Sequence, residues 1–492
     1  MNEPATLNFL DDGAHDTWVH RMTGRLVVES LLEIAPADYT LRPGLAEKWT
    51  ESADHRVTTF TLRTGATFSD GTPLEAADVV ATLDVVMDPK RPTGATRGEL
   101  TGLASWKALD ARTVELSWAT PSPFTLRALA RLPIYGRKQL AGDWAALGQR
   151  PLGTGPFVIA SWERGVALTL TRRPGGSAHL EKIVFRFVKD PNAANALFEK
   201  GEFDLMTAIQ PATWRALEQN EPSTAWARRD WHRIKSLENA FSYIGWNEAR
   251  PVFRDVQVRQ AMAHLYDAAL ITRVVDLGLE VPTTCPFLHG SDSCSAQVKA
   301  RAFSVEKAKA LLADAGWLDA DGDGVREKDG VKLQFTFLLP GRSVRLGKIV
   351  PMLQEQLQAA GARLEVEQVE TTTLSTRVAR RDFDVVSRVW NEADRELDLF
   401  QLLHSSQIDG GSNFVGYSNG EADRLIEQIR GEFDVGLRRS YERHLHERLA
   451  NDQPFLLMTA RQSLDAAKRR VHGLQPSLVW YDLRGVWVTD GE

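Results

Sequence analysis

The stretch from Leu333 to Trp390 constrains the fold more than any other part of the chain. Leu333, Phe335, Phe337 and Leu339 alternate as a strand does, and the chain then enters a helix around "IVPMLQEQLQAAG". Gly361 ends that helix and releases the chain into a second strand, "ARLEVEQV". The segment "TLSTRVARRDFDVVSRVW" repeats helix then strand, so residues from about 330 to about 390 read as consecutive βαβ units. Parallel neighbours need a crossover of this kind, so the expected class is α/β with a mostly parallel sheet. Upstream, Ser304 caps a helix carrying Val305, Ala308, Leu311, Leu312 and Ala315, and Gly316 stops it. Near the N-terminus, "VTTFTLRTGATF" reads as a strand with Phe60 and Leu62 on one face, followed by the turn "SDGTP". Thr72 and Glu75 there have capping-box spacing around Pro73, which predicts a helix starting at Pro73.

A chain of 492 residues exceeds the size at which one hydrophobic core keeps growing, so two or three lobes are expected. Its net charge of −6, with no long Lys/Arg block, argues against a nucleic-acid partner. No apolar run reaches the roughly 18 residues of a membrane span. The opening "MNEPATLNFL" lacks the basic start and apolar stretch of a secretion signal, and removal of a signal would leave the same opening. Cys285 and Cys294 share the loop "PTTCPFLHGSDSC", where a bridge strains no regular element and would stabilise by about 2–3 kcal/mol. An oxidising compartment is favoured, with a chance thiol pair as the alternative. Repeats of 20–50 residues are absent.

Several motifs suggest chemistry that their spacing does not support. In "WLDADGDGVREKDG", Asp319, Asp321 and Asp323 take the first three ligand positions of a calcium loop and Gly324 takes its turn position. Gly330 stands where the bidentate carboxylate belongs, and a strand rather than a helix follows. A polar helix-to-strand turn is therefore favoured over a calcium ligand set, and no metal site is assigned. "GRSVRLGKIV" has Ile349 where a phosphate loop needs Ser or Thr on magnesium. "HLHER" places His444 and His446 two apart, on different faces of a helix, so a solvated helix face is expected instead of a metal pair. "GGSNF" lacks the closing glycine of a nucleophile elbow. No catalytic set and no cofactor motif emerges.

Five segments together resemble one family. "PGLAEKWTESADHRVTTFTLRTGATFSDGTPLEAADV" at Pro43–Val79 is similar to the signature of family 5 extracellular solute-binding proteins of ABC importers. "PLGTGPF" at Pro151–Phe157, "FEKGEFDLM", "FRDVQVRQAMAHLYD" at Phe253–Asp267 and "AKALLADAGWLDADGDGVREKDG" follow in family order. The resemblance runs from about residue 25 to about 475. It implies a two-lobe periplasmic-binding-protein-like clamp of type II, with an extra subdomain in the first lobe and the solute trapped where a two-strand hinge closes. Lobe I would comprise residues 1–30, 150–240 and 465–492, with 31–149 as its accessory subdomain and 241–464 as lobe II. The implied partners are a peptide or other small-molecule ligand and a membrane permease. The implied chain is a monomer in the periplasm or outside the cell, lipid-anchored or free. A metal chelate or an oligosaccharide is the alternative ligand, and a hydrolase using the carboxylates between Glu392 and Glu396 is the alternative class.

The resemblance also points to residues. Glu29, in "VVESLLE", falls where the family has Glu-Gly-Leu; a helix-surface glutamate is the plain alternative. Trp246 and Asn247 follow the expected crossover strand and are candidates for solute contact, with core packing equally open for Trp246. Trp390 leads "WNEADRELD", which is similar to the strand end where peptide-binding members carry an aspartate for the ligand's amine. The pattern departs here, because Ala393 occupies that place and Asp394 comes one residue later. Glu392, Asp394 and Glu396 alternate, so their carboxylates would share one face and need a cation, with Arg388 or Arg395 as the expected source. Asn413, in "GGSNFVGY", matches a recurring family asparagine that bonds solute or caps a turn.

Overall fold

Strict alternation builds the first sheet. In the computed structural model, which describes residues 3–12, 17–219, 231–341, 343–391, 394–478 and 480–489, strand β2 (Val57–Leu62) buries Thr58, Phe60 and Leu62. It lies between β1 (Ala46–Glu51) and β4 (Thr113–Trp118), with β3 (Leu103–Ala108) beyond β4, all antiparallel. Helix α1 (Ala76–Met87) buries Val79, Leu83 and Val86 in the same core. Its start differs from the predicted one. The Thr72 hydroxyl donates to Asp70 at 2.6 Å within the Asp70–Gly71 turn, and Pro73 bridges to Thr67. The helix therefore begins after Glu75, whose N–H donates to the Asp78 carboxylate at 2.9 Å. The local side-chain bond outcompetes the longer-range cap. A second antiparallel sheet, β5 (Phe157–Glu163), β6 (Ala167–Arg172) and β7 (Lys182–Arg186), adds Phe157, Leu168 and Leu170 to that core.

The chain divides into two units, Met1–Ser236 with Ser463–Glu492, and Leu237–Gln462. Two long strands run through both divisions: β8 (Trp231–Trp246) and β13 (Phe455–Lys468).

Within the second unit, helix α2 (Val256–His264) and the short strand β9 (Val281–Pro282) precede α3 (Val305–Asp314), capped by Ser304 as predicted. Then come β10 (Gln334–Pro340), α4 (Val344–Ala359), β11 (Arg363–Val369), α5 (Thr371–Ala379) and β12 (Val385–Asn391). β10 pairs parallel with both β11 and β12, which is the expected βαβ arrangement. The amphipathic face of α4 explains why it covers the sheet: Leu346, Ile349, Val350, Leu353 and Leu357 are buried against Phe335 and Phe337. β8 is antiparallel to β12, from Ala240 opposite Asn391 to Trp246 opposite Val385. β9 pairs with β13 through Val281–Ala460 and Pro282–Thr459. Helix α6 (Val435–Asp452) packs beside α2 and ends at Gln453 in the left-handed region.

Just past β8, Glu248 meets Arg259 at 3.2 Å, while Arg259 also donates to the carbonyls of Asp452 and Phe253. Burial pushes the Glu248 carboxyl up to about 7, with Arg259 pulling it down and Asp452 pushing it further up. A carboxyl raised in the folded state keeps its proton while the unfolded chain loses one, so its contribution is fully present below about pH 4.5 and is lost as pH rises through about 7. Glu248→Gln should therefore raise the melting temperature relative to wild type at about pH 8 and change it little at about pH 4.5. Equal shifts at both pH values in thermal melts would contradict this.

Candidate functional site

The seven residues singled out by sequence fall into three environments. Glu29, in the first unit, is buried and held by Arg63 at 2.7 and 3.3 Å, while its carbonyl accepts the Ile134 N–H. It is thus an ion-paired framework residue and not a surface glutamate. Trp246 and Asn247 lie at the end of β8 far from the crossover, roughly 20 Å along the strand from Ala240. Trp246 stacks on Phe253 at 5.4 Å in the core. The Asn247 amide donates to the carbonyls of Arg381 and Phe383 and accepts the Ala249 N–H. These two hold the turn after β8 against the turn before β12. Asn413 donates to the His404 and Tyr417 carbonyls and accepts the Tyr417 N–H at 3.1 Å, the bonds of a turn cap.

The third environment is the crossover end of the second unit. Trp390 stands opposite Phe241 on β12. Glu392 lies outside the described residues. Asp394 is wholly buried; its Oδ1 accepts the N–H groups of Arg395 at 2.6 Å and Glu396 at 3.4 Å, and its carbonyl accepts from Asn239. Glu396 turns to α6 and pairs with Arg438 at 3.4 Å and with Arg439. The cation is therefore not Arg388 or Arg395 but two arginines more than forty residues on, and Arg439 also holds buried Glu442 at 2.8 Å. Glu396 is thus ion-paired to α6, while Asp394 is bonded to the turn that it begins.

Sequence reasoning passed over the neighbours of this end. Glu238 on β8 faces Arg461 on β13 at 3.8 Å, an ion pair too long for a hydrogen bond. Glu280 precedes the β9–β13 pairing; burial raises its carboxyl while Arg461 and Arg345 oppose that rise. Arg345 itself is committed to Asp276 through two bonds of 2.6 and 2.9 Å. Among the described residues, the buried Trp390 Nε1, Arg461 Nε, Gln462 Oε1 and Glu280 Oε2 have no hydrogen-bond partner. Trp390 was singled out by resemblance; for Arg461, Gln462 and Glu280 the signal in sequence was position alone, at the end of β13 before its crossover or just before the strand paired with it.

The acidic loop has its own answer. Asp319 accepts the Gly322 and Gly324 N–H groups, Asp323 accepts that of Val325, and Lys332 places its ammonium 2.6 Å from Asp321 and 2.7 Å from Asp323. Hydrogen bonds to both carboxylates raise the Lys332 pKa. Asp319, Asp321 and Glu327 each offer an oxygen within 4.8 Å of the others, so the chain's own cation sits beside the position a metal would take. Cys285 and Cys294 are bridged, at 2.05 Å. Of the two histidines in "HLHER", His444 is exposed as expected, but His446 is buried. The α6 surface that was expected to be solvated is half core.

The family model described as "Bacterial extracellular solute-binding proteins, family 5 Middle" matches residues 40–409. The oligopeptide-binding protein AppA of Bacillus subtilis is 27% identical over 456 residues, which is 87% of this chain and 80% of that protein. Its solved structure, in complex with a nonapeptide, has a TM-score of 0.88 at 25% identity and covers 99% of this chain and 97% of that one. NikZ of Campylobacter jejuni, solved with Ni(L-His), has a TM-score of 0.85 at 20% identity with 99% and 97% coverage, a likeness of fold. The architecture is thus the α/β fold of periplasmic binding proteins. No helix among the described residues is long and apolar enough to cross a membrane.

Millimolar calcium should leave the melting temperature unchanged, because Lys332 already neutralises two of the three aspartates. A rise of several degrees, reversed by a chelator and by Asp321→Ala, would show that a metal displaces the ammonium.

Proposed function

The chain belongs to the family 5 bacterial extracellular solute-binding proteins, and on that premise we propose that it captures a short peptide, or a polar solute of similar size, for an ABC importer. The reading rests on one observation: on or beside the paired strands β8, β9, β12 and β13, the buried Trp390 Nε1, Arg461 Nε, Gln462 Oε1 and Glu280 Oε2 have no hydrogen-bond partner among the described residues. A buried donor or acceptor left without a partner costs about 1–3 kcal/mol, so a site keeps such groups when a ligand supplies the missing bonds. Trp390 and Arg461 offer N–H donors, Gln462 offers an acceptor, and Glu280 offers a carboxyl whose charge burial suppresses. A peptide brings main-chain donors, main-chain acceptors and terminal charges, which suits a mixed set. The names of the relatives support the same class: one is an oligopeptide-binding protein, and DppA of Helicobacter pylori was solved with the peptide STSA.

Asp394 is the residue we assign to the solute's amine, held in place by the backbone N–H groups of Arg395 and Glu396. Glu29, Trp246, Asn247 and Asn413 act as framework in this reading, and Trp390 is a contact. The protein works outside the cytoplasm as a monomer, tethered by lipid or free, and delivers its cargo to a permease. The Cys285–Cys294 bridge suits such an oxidising compartment.

Mass spectrometry of the protein purified from its source should find co-purified peptides. Calorimetry with the identified peptide should show Asp394→Asn weakening affinity at least about tenfold, the loss of one charge-assisted bond. Glu396→Gln should leave affinity unchanged but lower stability, since Arg438 and Arg439 each lose an ion pair while Arg439 keeps Glu442. Equal affinity in wild type and Asp394→Asn would remove Asp394 from the site, and a bound metal chelate would move the ligand to another class.

A further inference from the structure

The buried histidine of α6 has a task that the solute site does not use. His446 is 1% exposed, and both of its ring nitrogens are committed. Nδ1 lies 3.0 Å from the N–H of Ser295, and Nε2 lies 2.9 Å from the carbonyl of Thr284. A backbone N–H can only donate, so Nδ1 carries the lone pair; a carbonyl can only accept, so Nε2 carries the proton. The ring is therefore neutral and held as one tautomer. Thr284 directly precedes Cys285 and Ser295 directly follows Cys294. The imidazole thus joins the two chain ends that leave the disulfide, a polar link laid in parallel with the covalent one.

We propose that His446 and the Cys285–Cys294 disulfide form a single redox- and pH-linked clasp on loop 283–295, in which each link holds the other closed. Protonation of Nδ1 sets N–H against the Ser295 N–H and breaks that bond. Reduction frees the two ends, so Thr284 and Ser295 no longer have to meet the ring together. In the reduction a dithiol passes two electrons and two protons to the disulfide, giving two thiols and its own disulfide. The loop roots directly on the strand ladder, because the Thr283 N–H donates to the Met458 carbonyl beside the β9–β13 pairing.

The charges around the ring agree with a neutral form. Burial lowers the His446 pKa, with the Thr284 carbonyl and the Glu447 carboxylate opposing it. Glu447 is occupied by the Ser295 hydroxyl at 2.5 Å. On α6, Arg443 donates to the Asp292 carbonyl, and Glu442 one turn back is bound by Arg439. From outside α6, Arg301 donates to the Ala450 carbonyl and Arg259 of α2 to that of Asp452. His289 and Asp292 of the loop are exposed. The linkage has a definite sign: the closed loop binds the proton less tightly than the open one. Closure is therefore favoured above the open-state pKa, near 6.5, and loses ground as pH falls through the lowered value.

The test is a histidine-ring NMR titration of the full chain, before and after dithiothreitol. In the oxidised protein His446 should show the Nε2–H tautomer and a midpoint at least about half a pH unit below that of the reduced protein. By reciprocity, the disulfide should then be about threefold easier to reduce below both midpoints than above them. The double variant Cys285→Ser, Cys294→Ser should show the raised midpoint without reductant. The ring signal is assigned from its disappearance in His446→Gln or, where that variant does not fold, by through-bond correlation from the His446 backbone. Equal midpoints in the oxidised and reduced forms, or an Nδ1–H tautomer in the oxidised form, would overturn the clasp.

Discussion

Every backbone donor and acceptor in a buried strand must find a partner, and in this protein two strands carry that requirement through both units. β8 and β13 each run unbroken across a unit boundary. On one side β13 takes Leu205 and Met206 as partners, and on the other it takes β9. β8 pairs with β12, which ties the crossover to the parallel βαβ layer. Beside the crossovers, Ala240–Trp246 on β8 and Thr459, Ala460, Ala466 and Ala467 on β13 are thus fixed by ladders.

The second unit also buries much charge, and it does so by giving each ion several partners. Asp452 receives the Tyr417 hydroxyl at 2.6 Å, the Asn419 amide and the Arg448 guanidinium, and its own carbonyl takes Arg259. Arg439 stands between Glu396 and Glu442, and Asp276 takes Arg345 bidentately. Desolvating an ion costs several kcal/mol, and only multiple hydrogen bonds offset it. These clusters fix how α6 lies on the rest of the unit. Glu248 is the member with the weakest compensation: burial outweighs its one ion pair, and its Oε1 has no hydrogen-bond partner among the described residues.

What could be read from sequence follows from range. The βαβ layer was legible because the period of Leu333–Leu339 and the apolar face of α4 are local, and the structure pairs β10, β11 and β12 as expected. Ser304 was legible for the same reason. The α1 cap was missed over three residues because Asp70 claimed Thr72 first, a competition between two local bonds that spacing cannot rank. The cation for Glu396 was missed because it comes from α6, and nothing near Trp390 signals it. His446 was read as solvated because α6 is charged along most of its length, which hides the buried stripe of Leu445, His446 and Leu449.

Hydrogen-bond partners, more than residue type, tell which of the polar residues near motifs are spent on the fold. Asn413, Asn247 and Glu29 are polar, buried and near recognisable motifs, yet each spends its groups inside the chain. A ligand could gain a bond there only by breaking one already made, so the exchange yields little. Trp390 Nε1, Arg461 Nε, Gln462 Oε1 and Glu280 Oε2 differ in having no hydrogen-bond partner among the described residues, although Arg461 also faces Glu238. The same test explains the acidic loop: Asp319 and Asp323 have backbone N–H groups, and Asp321 and Asp323 have Lys332, so a cation must compete with an ammonium tethered a few residues away. Three aspartates in a glycine-rich turn are thus spent on the turn itself and on its own lysine.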